Sequence, residues 1–458
     1  MTKGNKLLLA YYGDDFTGST DALEFLTRAG LKTVLFIAPP TPQQLAGYKG
    51  LQAIGVAGIT RSLTPPEIEK ELTAAFTALR ALNVRHIHYK VCSTFDSSPY
   101  IGSIGKAMDV GNKIFQPFFI PLLVAAPPLG RYCVFGNLFA RMGIGSQGDI
   151  YRLDRHPSMS KHPVTPAHES DLLLHLAKQT TLPAALIDIL AIDQPVADTC
   201  EKLQQLIAGG KKVILFDALS DNHLQPIGQL IDSYAAPERS LFSVGSSGVE
   251  MALGKHWAAK GIITKPKKLK PPGSVQAMLV ISGSCSPVTA KQIDFALGHG
   301  FAGVALDTVA ITAPASLHIT IQNTVNQVSD YIERNIPVIV HTSRGADDER
   351  IGQTYHQLSA QGLSEGDIVS KTAELYGTAL GMIALAVRVR TGLKRLIIAG
   401  GDTSGYAARA MGIEALEMIA PLSPGAPLCC AHAPHSAADK MEVNFKGGQV
   451  GCDDYFVK

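Results

Sequence analysis

Charge is scarce in this chain of 458 residues: only 17% are charged and the formal balance is +2. That removes any electrostatic case for a nucleic acid or a membrane surface as partner. Cysteine is sparse too: seven residues, an odd number, with no C-x-x-C pair. A disulfide framework is therefore not expected, nor a zinc site or other metal-ligand set, and the thiols read as reduced, as in the cytoplasm. Long hydrophobic runs are missing. The uncharged, apolar stretch 114–130 is broken by Pro117, Pro121, Pro127 and Pro128, so it is a poor membrane span. The apolar run at the start stops at Asp14 and Asp15, too soon for a signal peptide, and a cytoplasmic protein is expected.

What is present is alternation. KTVLFIA, AIGVAGI, HIHYKV, AALIDIL and KVILFDA have the length and β-branched content of buried strands. Between them lie helical patterns such as PPEIEKELTAAFTALRAL and ADTCEKLQQLIAGG. After GIITKPKKLKPPGS, which reads as a linker, the alternation resumes with AMLVISGS, AGVALDT, PVIVHTS and LKRLIIAGG. The expected fold class is α/β, in two domains that each have a largely parallel or mixed sheet flanked by helices. The boundaries expected are 1–265 for the first domain, 266–276 for the linker and 277–458 for the second.

Strong nucleotide signatures are absent. No G-x-x-x-x-G-K-[ST] occurs. One literal G-x-G-x-x-G stands at 143–148, but neither a clear strand before it nor a helix after it supports a dinucleotide turn. The second domain offers a distributed site instead. Gly283, Ser284 and Ser286 follow one strand, with Ser286 placed as a helix N-cap and Pro287 as the first helical residue. Thr342, Ser343, Arg344 and Gly345 follow another. Gly400, Gly401, Asp402, Thr403 and Ser404 follow a third, and Gly447 and Gly448 a fourth. One such turn is usually only a turn. Four of them beyond the carboxyl ends of strands in one α/β domain predict a phosphate-binding site.

The first domain supplies a different chemistry. Asp14, Asp15, Thr17, Ser19 and Asp21 crowd one strand end and helix start. Capping accounts for part of this, but two adjacent carboxylates exceed what a cap needs and suit hydroxyl recognition or proton abstraction. Arg61 and Ser62 follow a second strand, and Lys90, Ser93, Thr94 and Asp96 a third. Fixed cations beside hydroxyls suit a small polyhydroxy acid.

Taken in order, YYGDDFTGSTDA, YKVCSTFDSSP, HPVTPAHESDL with His162 at its edge, SVGSSGVEMAL, ISGSCSPVTAKQI and AGGDTSGYAARAMGIEAL resemble the four-carbon acid sugar kinase family over nearly the whole chain. The resemblance implies an N-terminal sugar-acid domain, a C-terminal ATP domain and phosphorylation of a terminal hydroxyl with Mg²⁺. It places Asp14, Asp15, Arg61 and Lys90, with Ser93 and His162, at the substrate. Ser284, Ser286, Ser343, Gly400, Gly401, Asp402, Thr403 and Gly448 fall at the nucleotide. Asp15 or Asp14 is the expected base, and Lys90 and Arg61 the expected anion binders. Acceptor and donor on separate domains imply closure to exclude water. FDSSP after the K-x-x-S-T pattern of residues 90–94 resembles the 3-oxo-tetronate kinase branch, whereas Asn137 stands where that branch carries a histidine. A branched 3-oxo acid, for example 3-oxo-isoapionate, is therefore a candidate substrate. Two other readings stay open here: a dinucleotide-dependent sugar-acid dehydrogenase using 143–148, and a non-catalytic sugar-acid sensor. A homodimer is compatible with the sequence.

Overall fold

The computed structural model describes residues 7–142, 148–162, 164–264, 269 and 271–458. It divides into two compact units, Met1–Lys268 and Leu269–Lys458.

In the first unit the strands are β1 (Leu9–Gly13), β2 (Thr33–Phe36), β3 (Ala53–Ala57), β4 (His86–Lys90), β5 (Ile120–Leu123), β6 (Arg131–Val134), β7 (Asn137–Arg141), β8 (Ile150–Arg152), β9 (Ala184–Ile187), β10 (Val213–Phe216) and β11 (Leu241–Gly245). Eight of them form a parallel sheet in the order β2-β3-β1-β4-β11-β5-β10-β9. Every residue of β1 to β5 is buried, the pattern of a sheet covered on both faces. Helix Phe16–Ala29 starts where the Asp15 side chain accepts from Gly18 N and stops at Gly30, whose φ of 106° suits glycine. Helix Pro65–Arg80 begins with proline after a Thr64–Glu67 capping box. Because the strands are parallel, β1, β3, β4 and β11 deliver their carboxyl ends to one edge, where Asp14, Thr60, Val91 and Ser246 follow them.

The alternating pattern does not foretell the small antiparallel sheet β6-β7-β8. Its first hairpin turns on Phe135 and Gly136, both with positive φ, as a two-residue loop requires. The 143–148 segment connects β7 to β8, which pair antiparallel, rather than leading into a helix. Residues 143–147 themselves lie outside the described residues.

The second unit holds β12 (Leu279–Ser282), β13 (Ala302–Ala305), β14 (Val338–His341), β15 (Arg395–Ala399), β16 (Ala415–Ser423), β17 (Ala426–His432) and β18 (Glu442–Lys446). Its mixed sheet runs β13-β14-β12-β15-β18-β17-β16, parallel up to β18 and antiparallel beyond it. Helix Glu365–Thr391 is long and apolar enough to cross a membrane. Here, however, it packs closely on helix Gly401–Ala410. A Cβ on Gly377 would stand 2.5 Å from that of Tyr406, and one on Gly381 would stand 2.7 Å from the Ala407 carbonyl oxygen. It is a core helix.

Candidate active site

At the carboxyl edge of the first sheet, Arg61 joins the two aspartates. Its Nε and Nη2 donate to Asp14 Oδ2 and Oδ1 at 3.1 and 2.9 Å, a bidentate pair, and Nη1 donates to Asp15 Oδ2 at 2.9 Å. The backbone fixes the same junction, because Arg61 N donates to Asp14 O and Asp14 N to Lys90 O. Asp15 also accepts from Gly18 N at 2.7 Å and from Thr17 Oγ1 at 2.8 Å. A carboxylate has about four lone-pair sites, so three donors leave Asp15 one acceptor position. The two aspartates differ in access: 14% of the Asp15 side chain is exposed and only 3% of Asp14. Burial, reinforced by the Asp15 charge and opposed by Arg61, pushes Asp14 above the usual carboxylate range. Burial works against the Arg61 charge, but Asp14 and Asp15 outweigh it and hold the guanidinium protonated.

Lys90 sits deeper than a ligand-facing cation would. It is 1% exposed, donates to Val91 O at 3.1 Å and pairs with Asp21 Oδ2 at 3.3 Å. Burial opposes its charge, yet Asp21, Glu250 and Asp14 together raise its pKa. Arg61 and Lys90 are thus neutralised by the chain's own carboxylates. Ser93 is buried just beyond β4. His162 Nδ1 accepts from Thr165 N and bonds Thr165 Oγ1, both at 3.1 Å, and among the described residues it makes no hydrogen bond to the aspartates.

Glu250 is a residue that motif reading passed over, although it lies inside SVGSSGVEMAL. It is wholly buried, neither oxygen has a hydrogen-bond partner, and His88 Nε2 is 3.5 Å away. Burial, with Lys90 opposing, pushes its carboxyl up to about 8. Burial, helped by Lys90, pushes His88 down to about 3. Nothing in a one-residue motif signals this; it follows from helix Gly248–Ala259 turning inward against β4.

In the second unit the four turns gather beyond β12, β14, β15 and β18. Gly283 N donates to Ala399 O, Thr342 N to Ser282 O and Gly400 N to Lys446 O. Ser286 caps helix Pro287–Leu297 by accepting from Val288 N. Ser284 Oγ accepts from Ser286 N, and Ser343 Oγ donates to Ser284 O at 3.4 Å. Three glycines are required by close approach. A Cβ on Gly283 or on Gly400 would meet Thr403 Oγ1 at 2.2 or 2.7 Å, and one on Gly448 would meet Ser284 Oγ at 2.9 Å. Helix Gly401–Ala410 starts from Gly400, at φ 130°, with no side-chain cap, and nothing lies within 4 Å of where a Cβ on Gly401 would be. A helix N-terminus with uncapped donors and open space before it is suited to an anion. Asp402 is exposed in that first turn.

Lys446 is the second residue missed. It is fully buried at the end of β18, and its Nζ donates to Thr289 Oγ1 and Gly447 O, both at 3.0 Å. Burial alone lowers its pKa to about 7. Only the lysine before a GG pair could have hinted at it.

These features define a two-domain α/β protein with a carboxylate-and-hydroxyl site on one unit and a phosphate-suited glycine turn on the other. Residues 9–253 match the model of a sugar-binding N-terminal domain, and residues 279–456 that of a nucleotide-binding C-terminal domain. The chain belongs to the four-carbon acid sugar kinase family. It is 41% identical to a 3-oxo-isoapionate kinase from Paraburkholderia graminis, over 98% of this chain and 93% of that one. It is 30% identical to a 3-oxo-tetronate kinase from Methylobacterium radiotolerans, over 98% of each. A crystal structure from Salmonella typhimurium superposes with a TM-score of 0.74 at 25% identity, covering 98% of each chain. One from Haemophilus influenzae has the same fold, with a TM-score of 0.69 at 21% identity and 98% of each chain covered.

Proposed function

We propose that this chain is an ATP-dependent kinase that phosphorylates the terminal hydroxyl of a small 3-oxo acid sugar, and that 3-oxo-isoapionate is a better substrate than a linear 3-oxo-tetronate. The observation that carries the kinase reading is the turn at Gly400. A strand leads into a glycine at positive φ and then into a helix that has no side-chain cap, with open space beside Gly401. The choice of acid rests on the relative named 3-oxo-isoapionate kinase, which is more similar than the 3-oxo-tetronate kinases.

In this reading Ser284, Ser286, Ser343, Gly400, Gly401, Thr403 and Gly448 surround the nucleotide phosphates. The glycines let the backbone approach, and the helix N-terminus stabilises their charge. The residues fit ATP on the grounds of open space at Gly401 and the Cβ-intolerant positions around it. Mg²⁺ bound by phosphates and water needs only one or two protein carboxylates, and Asp402 is the one in the first turn. When bound, the ion neutralises phosphate charge.

On the acceptor side, the last free lone-pair position of Asp15 takes the substrate hydroxyl. Asp15 orients that oxygen and accepts its proton as the oxygen bonds to the γ-phosphorus and ADP leaves. Arg61 holds Asp14 and Asp15 in place and keeps one exposed edge for the substrate, whereas Lys90 acts from below as the counter-ion of Asp21.

An ADP-release screen over tetronates, 3-oxo-tetronates and 3-oxo-isoapionate tests this. The expected result is turnover with 3-oxo acids, fastest with 3-oxo-isoapionate. Tight binding of the acid without ADP release would favour a sensor, and reduction of NAD a dehydrogenase.

A further inference from the structure

Strand β18 ends at Lys446, among the phosphate-suited turns of the second unit, and both its backbone and its side chain are engaged there. The Lys446 carbonyl accepts from Gly400 N, the glycine that opens the turn after β15. Its Nζ donates to Thr289 Oγ1 and Gly447 O, both at 3.0 Å, and to Gly448 O at 3.4 Å. Thr289 stands in the first turn of helix Pro287–Leu297. Gly448 lies so close to the turn after β12 that a Cβ on it would meet Ser284 Oγ at 2.9 Å and Ser286 Cβ at 3.1 Å. One residue thus ties together three of the four turns.

These contacts fix the charge of the side chain. Gly447 O and Gly448 O can only accept. The Thr289 hydroxyl donates to Gly448 O at 2.9 Å, so its oxygen accepts from Nζ as well. Three acceptors call for three N–H donors, which an ammonium has and a neutral amine lacks.

That ammonium is wholly buried and, among the described residues, makes no ion pair, whereas Arg344, Arg350 and Arg395 of the same unit pair with Asp294, Asp348 and Glu442. Besides its three oxygens, the Tyr455 ring faces it from the C-terminal segment, 5.8 Å away. No charged group offsets burial, which alone lowers its pKa to about 7. A buried cation without a counter-ion is costly. The open space beside Gly401, suited to an anion, follows directly on the glycine that Lys446 holds.

We propose that Lys446 is a positioning residue of the nucleotide site: its ammonium locks the Gly447–Gly448 turn against Thr289 and Ser284, and the phosphates of ATP supply the negative charge that the chain itself does not. The proposal rests on the ATP-dependent kinase reading above. Lys446 acts through the turn and through Thr289, not by touching phosphate.

Calorimetry of Mg·ATP binding to the full chain between pH 7 and pH 9, where the phosphates stay ionised, tests this. Burial holds the free ammonium near pH 7, and the bound anion favours it over the amine. Affinity should therefore be greatest at pH 7 and about tenfold lower at pH 9. At pH 8 binding should take up a proton, seen as a binding heat that varies with the ionisation enthalpy of the buffer. Lys446→Met keeps the stem and deletes the charge. It is expected to bind ATP about tenfold or more weakly than the natural chain at pH 7, without the pH dependence and with its affinity for the 3-oxo acid kept. Natural ATP affinity in Lys446→Met, or the same pH dependence, overturns the proposal. So does binding to the natural chain without proton uptake, a result that needs no variant to fold. A natural chain that binds the acid but no ATP at any pH instead overturns the kinase reading itself, a distinguishable outcome.

Discussion

Asp15 carries two roles at once, capping helix Phe16–Ala29 through Gly18 N and standing as the more exposed member of the aspartate pair. Asp15→Asn keeps an acceptor for the cap and removes the base. We expect kcat for ADP release to fall by roughly 10²–10⁴ with little change in KM for the acid. Unchanged kcat would move the role to Asp14 or remove the need for a base. Glu250 permits a prediction of opposite kind, about stability. Its carboxyl rises from 4.5 to about 8 on folding, so between those values the native state keeps a proton that the unfolded chain has lost. Its contribution is complete below about pH 4.5 and disappears as pH rises through 8. Measured by urea unfolding, the stability of the natural chain relative to Glu250→Gln should therefore decline by about a few kcal/mol from pH 5 to pH 8. A difference that is flat with pH would contradict it. Residues of this sort divide by legibility. Asp14, Asp15 and Arg61 stand at strand ends in the text, and the structure joins them. Lys90 also stands at a strand end, but its depth does not show: only the fold reveals that Asp21 and Glu250 wait beneath it.

At the scale of elements, the turn at 400 is the most legible piece of the chain. LIIA is short, apolar and β-branched, GG cannot continue it, and the polar residues that follow open a helix. Gly400→Ala forces a side chain onto φ 130° and within 2.7 Å of Thr403 Oγ1. Strain of about 1–3 kcal/mol is expected, and calorimetry should show ATP binding weakened by roughly tenfold or more with the acid's affinity kept. Equal ATP affinity would mean that this turn does not carry the phosphates. Other elements were harder to read for physical reasons. β5 lies inside the proline-rich run 114–130, and Pro121 is tolerated there although β5 is flanked by β11 and β10. The β6–β7 hairpin turns on Phe135–Gly136, and a phenylalanine at positive φ is not a pattern that propensity favours. β17 alone runs against the other strands of its unit, pairing antiparallel with both β16 and β18, which local periodicity does not encode.

For the whole molecule, the change of composition around residue 270 and the repeated strand–helix alternation made the α/β class legible, because parallel sheets need crossovers and buried strands need apolar runs. The sequence grouped the four glycine-bearing turns of the second unit at strand ends, but it did not carry the strand order that makes them neighbours. Ser284, Ser343, Gly400 and Gly448 lie far apart in the chain and come together only because β12, β14, β15 and β18 are parallel neighbours. The central claim is a division of labour, with the nucleotide on the turn after β15 and the acid sugar on the turn after β1. Hydrogen exchange on the full chain tests it most directly, with Mg·ATP and the 3-oxo acid added separately. ATP should slow exchange in residues 397–408, where backbone donors face phosphate, and the acid should slow it in residues 13–20 and around Arg61. Protection of residues 13–20 by ATP, or of 397–408 by the acid alone, would contradict the account.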